Sequence, residues 1–187
     1  MGHPVDPARL TESGEQCLLR LGRLPSLRLP TGQLITVIGT VVEGHVSRIL
    51  ARLIVLSHVD SIQLGQALLD EQLDSMNDSW PKRNRWLKAG FDLDHAGYAP
   101  YQDFDLLVQA RNAVVHGDGA LTDRQRRDGT RKIIQLRNDL LAKLDITLRG
   151  QLRYGPDSAE RALRVAREFV VDFDARVIRK HPQARTL

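Results

Sequence analysis

The sequence predicts an all-α fold: an antiparallel bundle of about five core helices, with one small β-hairpin near residues 145–154. Three observations predict it. Apolar residues recur at three- and four-residue steps through most of the chain. Ser, Thr or Asp stands ahead of several of these runs, and Gly follows the shorter ones. One stretch, Asp145 to Tyr154, alternates apolar with polar residues instead.

With 187 residues, 42% hydrophobic and 27% charged, the chain suits one folded domain with appendages. Residues 1–30 hold four of the eight prolines, Pro4, Pro7, Pro25 and Pro30, and read as an N-terminal arm. Within it Ala8 to Leu21 is a helix candidate, with Leu10, Cys17, Leu18 and Leu21 on one face. Thr31 caps a long helix to about His58, whose apolar stripe includes Leu34, Ile38, Val42, Val46, Ile49, Leu50 and Leu53. Its β-branched residues also permit a strand over Leu34 to Val42, against which the unbroken helical period argues. Ser61 caps a helix to about Met76, with Ile62, Leu64, Leu68, Leu69 and Leu73 inward and Asp70, Glu71 and Asp74 outward. Ser79 caps the next, which tolerates Pro81 in its first turn and stops at Gly90. Trp80 and Trp86 on it suit core packing better than base stacking. Phe91 to Pro100 reads as a loop, and its Asp92, Asp94 and His95 lack the spacing of a metal site.

The stretch that organises the rest is Arg111-Asn112-Ala113-Val114-Val115-His116-Gly117-Asp118-Gly119. Phe104, Leu107, Val108, Val114 and Val115 define an apolar helix from about Tyr101 to His116, and Gly117 supplies a residue that easily turns left-handed after it. Asn112 and His116 stack four apart, and Arg111 reaches across the same edge. A histidine in a last helical turn is favoured in its protonated form by the unpaired carbonyls, which suits proton transfer near neutral pH. A forked guanidinium beside it fits phosphate oxygens, so the implied substrate is a phosphate ester. The bare Arg-x-x-x-x-His spacing is weak, since 22 arginines and six histidines give roughly one match by chance. The same residues also suit a plain helix cap and an ion pair.

Thr122-Asp123-Arg124-Gln125 fits a capping box for a helix to about Leu144, with Ile133, Ile134, Leu136, Leu140, Leu141 and Leu144 as its stripe. Its first half carries Arg124, Arg127 and Arg131 among six bases, which suit either an RNA backbone or a solvated face. Glu43, on the long helix, suits either a partner for Arg111 or a solvated position. The hairpin follows. Asp157 or Ser158 then caps a last helix to about Arg179 with Leu163, Ala166, Val170, Phe173 and Val177 on one seam, ahead of a basic tail, 180–187.

The Arg111, Asn112 and His116 string, with Gly117 after it, resembles the signature of the HEPN (higher eukaryotes and prokaryotes nucleotide-binding) domains. The resemblance is sharp over about Phe104 to Gly119, and it makes 31–179 a HEPN-like helical domain. It implies a metal-independent endoribonuclease in which Arg111, Asn112 and His116 are catalytic. Cleavage would use the ribose 2′-hydroxyl and leave a 2′,3′-cyclic phosphate. It further implies a homodimer that joins two motifs, a toxin or defence role, and a nucleotidyltransferase-like antitoxin as a possible partner. The alternative is a catalytically silent HEPN module that binds RNA, a nucleotide or a protein.

The surplus of four bases, 27 against 23 acids, is compatible with a polyanionic partner but falls short of a dedicated nucleic-acid coat. Cys17 stands alone, which excludes an intrachain disulfide and a thiolate cluster within one chain. With no signal pattern, and with apolar runs such as Ile49 to Leu56 broken by Arg52, a soluble cytoplasmic protein with no membrane contact and no cofactor is expected. No phosphate-binding glycine loop and no Ser-His-Asp or Cys-His array is defensible from the spacing.

Overall fold

The computed structural model describes residues 10–127 and 129–186. The expected helix start at Ala8, Pro4 and Pro7 of the arm, and Leu187 lie outside the described residues, as do the side chains of 73–78, including Leu73 and Asp74. The described residues form eight α-helices and a two-stranded sheet. In order they are α1 (Glu12–Arg23), α2 (Thr31–Leu56), α3 (Gln63–Asp78), α4 (Trp80–Phe91), α5 (Ala99–Gly117), α6 (Asp123–Arg126), α7 (Thr130–Leu144), β1 (Ile146–Arg149), β2 (Gln151–Tyr154) and α8 (Ser158–Lys180). The fold is all-α with a small hairpin, as the periodicity predicts.

The chain forms two compact units. One comprises the described residues up to Leu18, Glu43–Tyr98 and those from Val170 onward; the other comprises Leu19–Val42 and Ala99–Phe169. In the first unit α3 packs on α4, and Phe173 is the buried centre that meets His45 and His95 edge-on at 5.9 and 5.4 Å. Trp80 is buried, as helix packing requires, with the Arg83 guanidinium 5.0 Å from its ring. In the second unit Phe104 stacks on Phe169 at 4.5 Å, and Tyr101 meets the same ring at 5.9 Å. There α5 packs on α7. Lys143, near the end of α7, binds Asp103, near the start of α5, at 3.1 Å, so these two helices run antiparallel. The hairpin pairs Ile146 with Tyr154 and Leu148 with Leu152, buries those two leucines on one face, and turns at Gly150 with φ 78.

Several boundaries and faces differ from the expectation. The helix expected from Thr122 to Leu144 is two: the capping box forms at Thr122 and Gln125, but Gly129, at φ 87, breaks the chain before α7. Ser61 is not a cap; its hydroxyl bonds the His58 carbonyl, and α3 starts at Gln63 without a side-chain cap. On α3 the inward face is set by buried Gly65, where an added Cβ would stand 1.8 Å from the Val59 carbonyl oxygen. This leaves Ile62, Leu64 and Leu68 at 57, 69 and 53% exposure rather than inward. Ser79 occupies the cap position of α4 but makes no capping bond. Gly90 does not stop α4; the left-handed residue is Asp92, and it turns its N–H back to Leu87 and Lys88. On α7, Leu140 and Leu144 are buried while Ile134 and Leu141 are half exposed. By length and composition α2 is apolar enough to cross a bilayer, although half of its most apolar stretch is buried within the fold.

Candidate functional site

The motif occupies the last two turns of α5. The helix includes Gly117, and the left-handed residue that ends it is Asp118 (φ 49), followed by Gly119 (φ 81). The glycine expected to make the turn is therefore one position early. Aspartate tolerates this conformation because its short polar side chain adds little steric cost. The Gly119 N–H returns to the Ala113 carbonyl at 2.9 Å, and the Ala120 N–H to Gly117 at 2.8 Å.

The hairpin fixes this turn from outside. The Leu152 N–H donates to the Gly119 carbonyl at 2.7 Å, and the Gln151 amide donates to Asp118 at 3.2 Å. The second support is Gln125. It is 7% exposed, and its carboxamide donates to the Gln109 backbone and side-chain oxygens at 3.0 and 2.9 Å while accepting from the Thr122 N–H at 2.9 Å. One amide thus ties α6, the start of the basic segment, to the middle of α5.

Arg111 is half-buried among the core-facing residues of α5. Its aliphatic stem lies beside Leu107 and over Gly39 of α2, where an added Cβ would stand 3.6 Å from Cγ. Its Nη1 donates to Asn112 Oδ1 at 3.4 Å, which brings the guanidinium round toward the Asn112 face. Asn112 is half-buried, and His116 is exposed at the helix end, beside Val115 at 44% exposure. Val115 was expected in the core; it lies on the solvent side because the core face of α5 is set by Phe104, Leu107 and Val108. The arrangement offers a fixed cation, an amide that orients it, and an accessible imidazole that accepts or gives a proton.

Arg124, Arg127 and Arg131 are exposed, the first two around α6 and the third on α7 rather than on one continuous helix. Arg127 Nε also donates to the Asp123 carbonyl at 3.4 Å, and the neighbouring Arg126 pairs with the Asp123 carboxylate at 2.9 Å. Glu43 accepts from Arg83 Nη1 at 3.3 Å within the first unit, Arg83 itself being 1% exposed. The acids of the 91–100 loop are paired, Asp94 with Lys88 at 2.6 Å and Asp92 with Lys180. Among the described residues no three His, Cys, Asp or Glu side chains gather as metal ligands.

Sequence spacing missed two groups. Asp105 and Gln109 precede the motif at i, i+4 on α5, the Gln109 amide 3.4 Å from Asp105 Oδ2, and burial raises the Asp105 pKa above its ordinary 3.8. The second is a Ser-His-Asp array that no spacing announced. Ser13 Oγ lies 2.9 Å from His45 Nδ1, and His45 Nε2 lies 2.9 Å from Asp174 Oδ1. Asp174 Oδ2 accepts from the Thr11 N–H and hydroxyl at 2.8 and 2.9 Å, and Arg48 Nε donates to Ser13 Oγ at 3.1 Å. Ser13, His45 and Asp174 are all 0% exposed, so the array joins α1, α2 and α8 and offers no surface to a substrate.

His95 is a further buried imidazole. Its Nδ1 donates to the Leu93 carbonyl at 3.2 Å, and Nε2 lies 3.0 Å from the Asn84 carboxamide. Burial lowers its pKa below the ordinary 6.5; the Leu93 carbonyl, Asp94 and Asp172 oppose that in part, and Arg176 reinforces it. As pH falls the unfolded chain therefore takes up this proton first. The stability His95 contributes is complete above 6.5 and is lost as pH drops below that value. Urea midpoints should fall on the acid side of neutrality, and the fall should be shallower in His95→Gln; parallel curves for the two proteins would refute this.

No protein-family model, curated protein or solved structure matches this chain.

Proposed function

We propose that the chain is a HEPN-type, metal-independent endoribonuclease. The observation that carries this is the end of α5, where Arg111 is steered by its bond to Asn112 and His116 stands exposed one turn further on. In this reading the ribose 2′-oxygen attacks the adjacent phosphorus, the bond to the 5′-oxygen breaks, and a 2′,3′-cyclic phosphate and a 5′-hydroxyl remain. Arg111 neutralises charge that grows on the phosphorane oxygens, His116 moves a proton, and Asn112 holds the guanidinium in place. Arg124, Arg127 and Arg131 hold the RNA backbone.

One imidazole does not readily serve both the attacking and the leaving oxygen, so the active form is a homodimer in which two His116 side chains face one another. Exposed Val115 beside each His116 supplies apolar area for such a contact. A toxin or defence role follows from the activity, with a nucleotidyltransferase-like antitoxin as the partner that would restrain it.

The test is incubation of the purified protein with total cellular RNA in excess chelator, with the end groups of the products identified. Cyclic-phosphate ends are the expected result. Intact RNA with a well-folded dimer would remove the enzyme reading and leave a HEPN module that binds RNA, a nucleotide or a protein without cutting it.

A further inference from the structure

A second feature adjoins the motif on α5. At about 100° per residue, Asp105, Gln109, Asn112 and His116 fall on one stripe of the helix, within about 60° of each other. The lower part of that stripe forms one wall of an open pocket of about 190 Å³, flanked by Gln125 from α6 and by Gln135, Leu136 and Asp139 from α7. With a rise of about 1.5 Å per residue, Gln109 and Asp105 lie roughly 5 and 10 Å along the axis from Asn112, the reach of a base attached to a neighbouring nucleotide. The volume suits a single heterocycle and is below the ~300 Å³ at which drug-sized pockets begin.

The lining selects among heterocycles. Two carboxylates, Asp105 and Asp139, and one ammonium, Lys132, line it, and this net negative charge is wrong for phosphate and right for amino and imino donors. An ionised carboxylate accepts two parallel hydrogen bonds, and only guanine among the RNA bases presents two adjacent donors on its Watson–Crick edge, N1–H and N2–H. Unstacked bases in single-stranded RNA are read on that edge. Gln135 supplies an amide for the O6 and N7 side, and Leu136 supplies an apolar surface for the ring. Asp105 gains most from such a ligand, because burial has already removed much of its water and raised its pKa.

We infer that the α5–α7 pocket is a guanine-recognition subsite, in which Asp105 accepts from N1–H and N2–H of a base next to the scissile phosphate. This rests on the ribonuclease reading for its place in the reaction, but not for its ability to bind. The test is calorimetric titration of the intact protein with 5′-GMP, 5′-IMP, which lacks the N2 amino group, and 5′-AMP. GMP should bind at least tenfold more tightly than either of the others, and Asp105→Asn, with an unchanged circular dichroism spectrum, should remove that preference. Arg111→Ala should keep it. Equal affinities, no binding of any of the three, or a preference that survives Asp105→Asn would overturn the subsite. In parallel, cleavage of RNA with no guanine bias beside the cut would overturn the subsite and leave the ribonuclease standing. GMP selectivity in a protein that cuts nothing would do the reverse.

Discussion

On the proposed ribonuclease reading, replacing His116 by alanine is expected to slow RNA cleavage by on the order of a thousandfold, the usual worth of a positioned proton-transfer group. Stability should barely change, because His116 is exposed and no core contact depends on it. Arg111→Ala should lose a similar factor, on the order of a hundred to a thousand for one charge-stabilising donor. It should also cost some stability, since its stem packs against Leu107 and Gly39. Arg111→Lys separates the two roles. Lysine keeps charge and much of the stem but lacks the fork that reaches Asn112, so stability should recover while the rate stays low. Initial rates on a short RNA, with urea curves for each variant, would decide the matter. Near-parental cleavage by His116→Ala would show that the proton is handled elsewhere.

The largest effect on stability should come from Asp174→Ala. That change leaves two buried donors with no acceptor, the Thr11 N–H and the Thr11 hydroxyl, and removes the carboxylate that lies 2.9 Å from His45 Nε2. Each orphaned donor costs about 1–3 kcal/mol, so a loss on the order of 4 kcal/mol is expected. Gly14→Ala should act on the same network, because its Cβ would be placed 1.8 Å from Asp174 Oδ2, an oxygen that two Thr11 donors already hold. Combined, the two changes should cost less than their sum. Urea midpoints for the three variants give the answer. A shift below about 0.5 kcal/mol for Asp174→Ala, the scale of an ordinary surface substitution, would mean that water fills the vacated space and satisfies the donors.

What was legible in the sequence was whatever repeats along one element. The stripes of α2 and α8, the alternation of the hairpin and the capping box at Thr122 and Gln125 all depend on neighbours within a few residues, and each is present. Helix ends were less legible. Three of them close on an aspartate in the left-handed conformation, Asp92, Asp118 and Asp145, with no glycine at that position. Any residue that tolerates the conformation serves there once the following chain is held. Gly129 misled in the opposite sense, since one glycine inside a helical pattern is often tolerated and here it breaks the helix.

At the site, Arg111, Asn112 and His116 could be read because they share two turns of one helix. The pocket and the Ser13, His45 and Asp174 array could not, because their members come from separate elements. Asp174 lies 163 residues from Thr11, which it binds, and no local pattern encodes such a distance.

The bond from Leu152 to Gly119 has a consequence for how the protein opens. The turn that ends α5 accepts a hydrogen bond from the second strand, so its fraying exposes the Leu152 amide. Hydrogen exchange at Leu152 should therefore follow exchange at the end of the motif helix, although the strand contributes no residue to the motif. A macromolecule that gripped the hairpin and drew it away would loosen the footing of His116. If the chain is the ribonuclease proposed above, that is a handle on its activity placed outside the site.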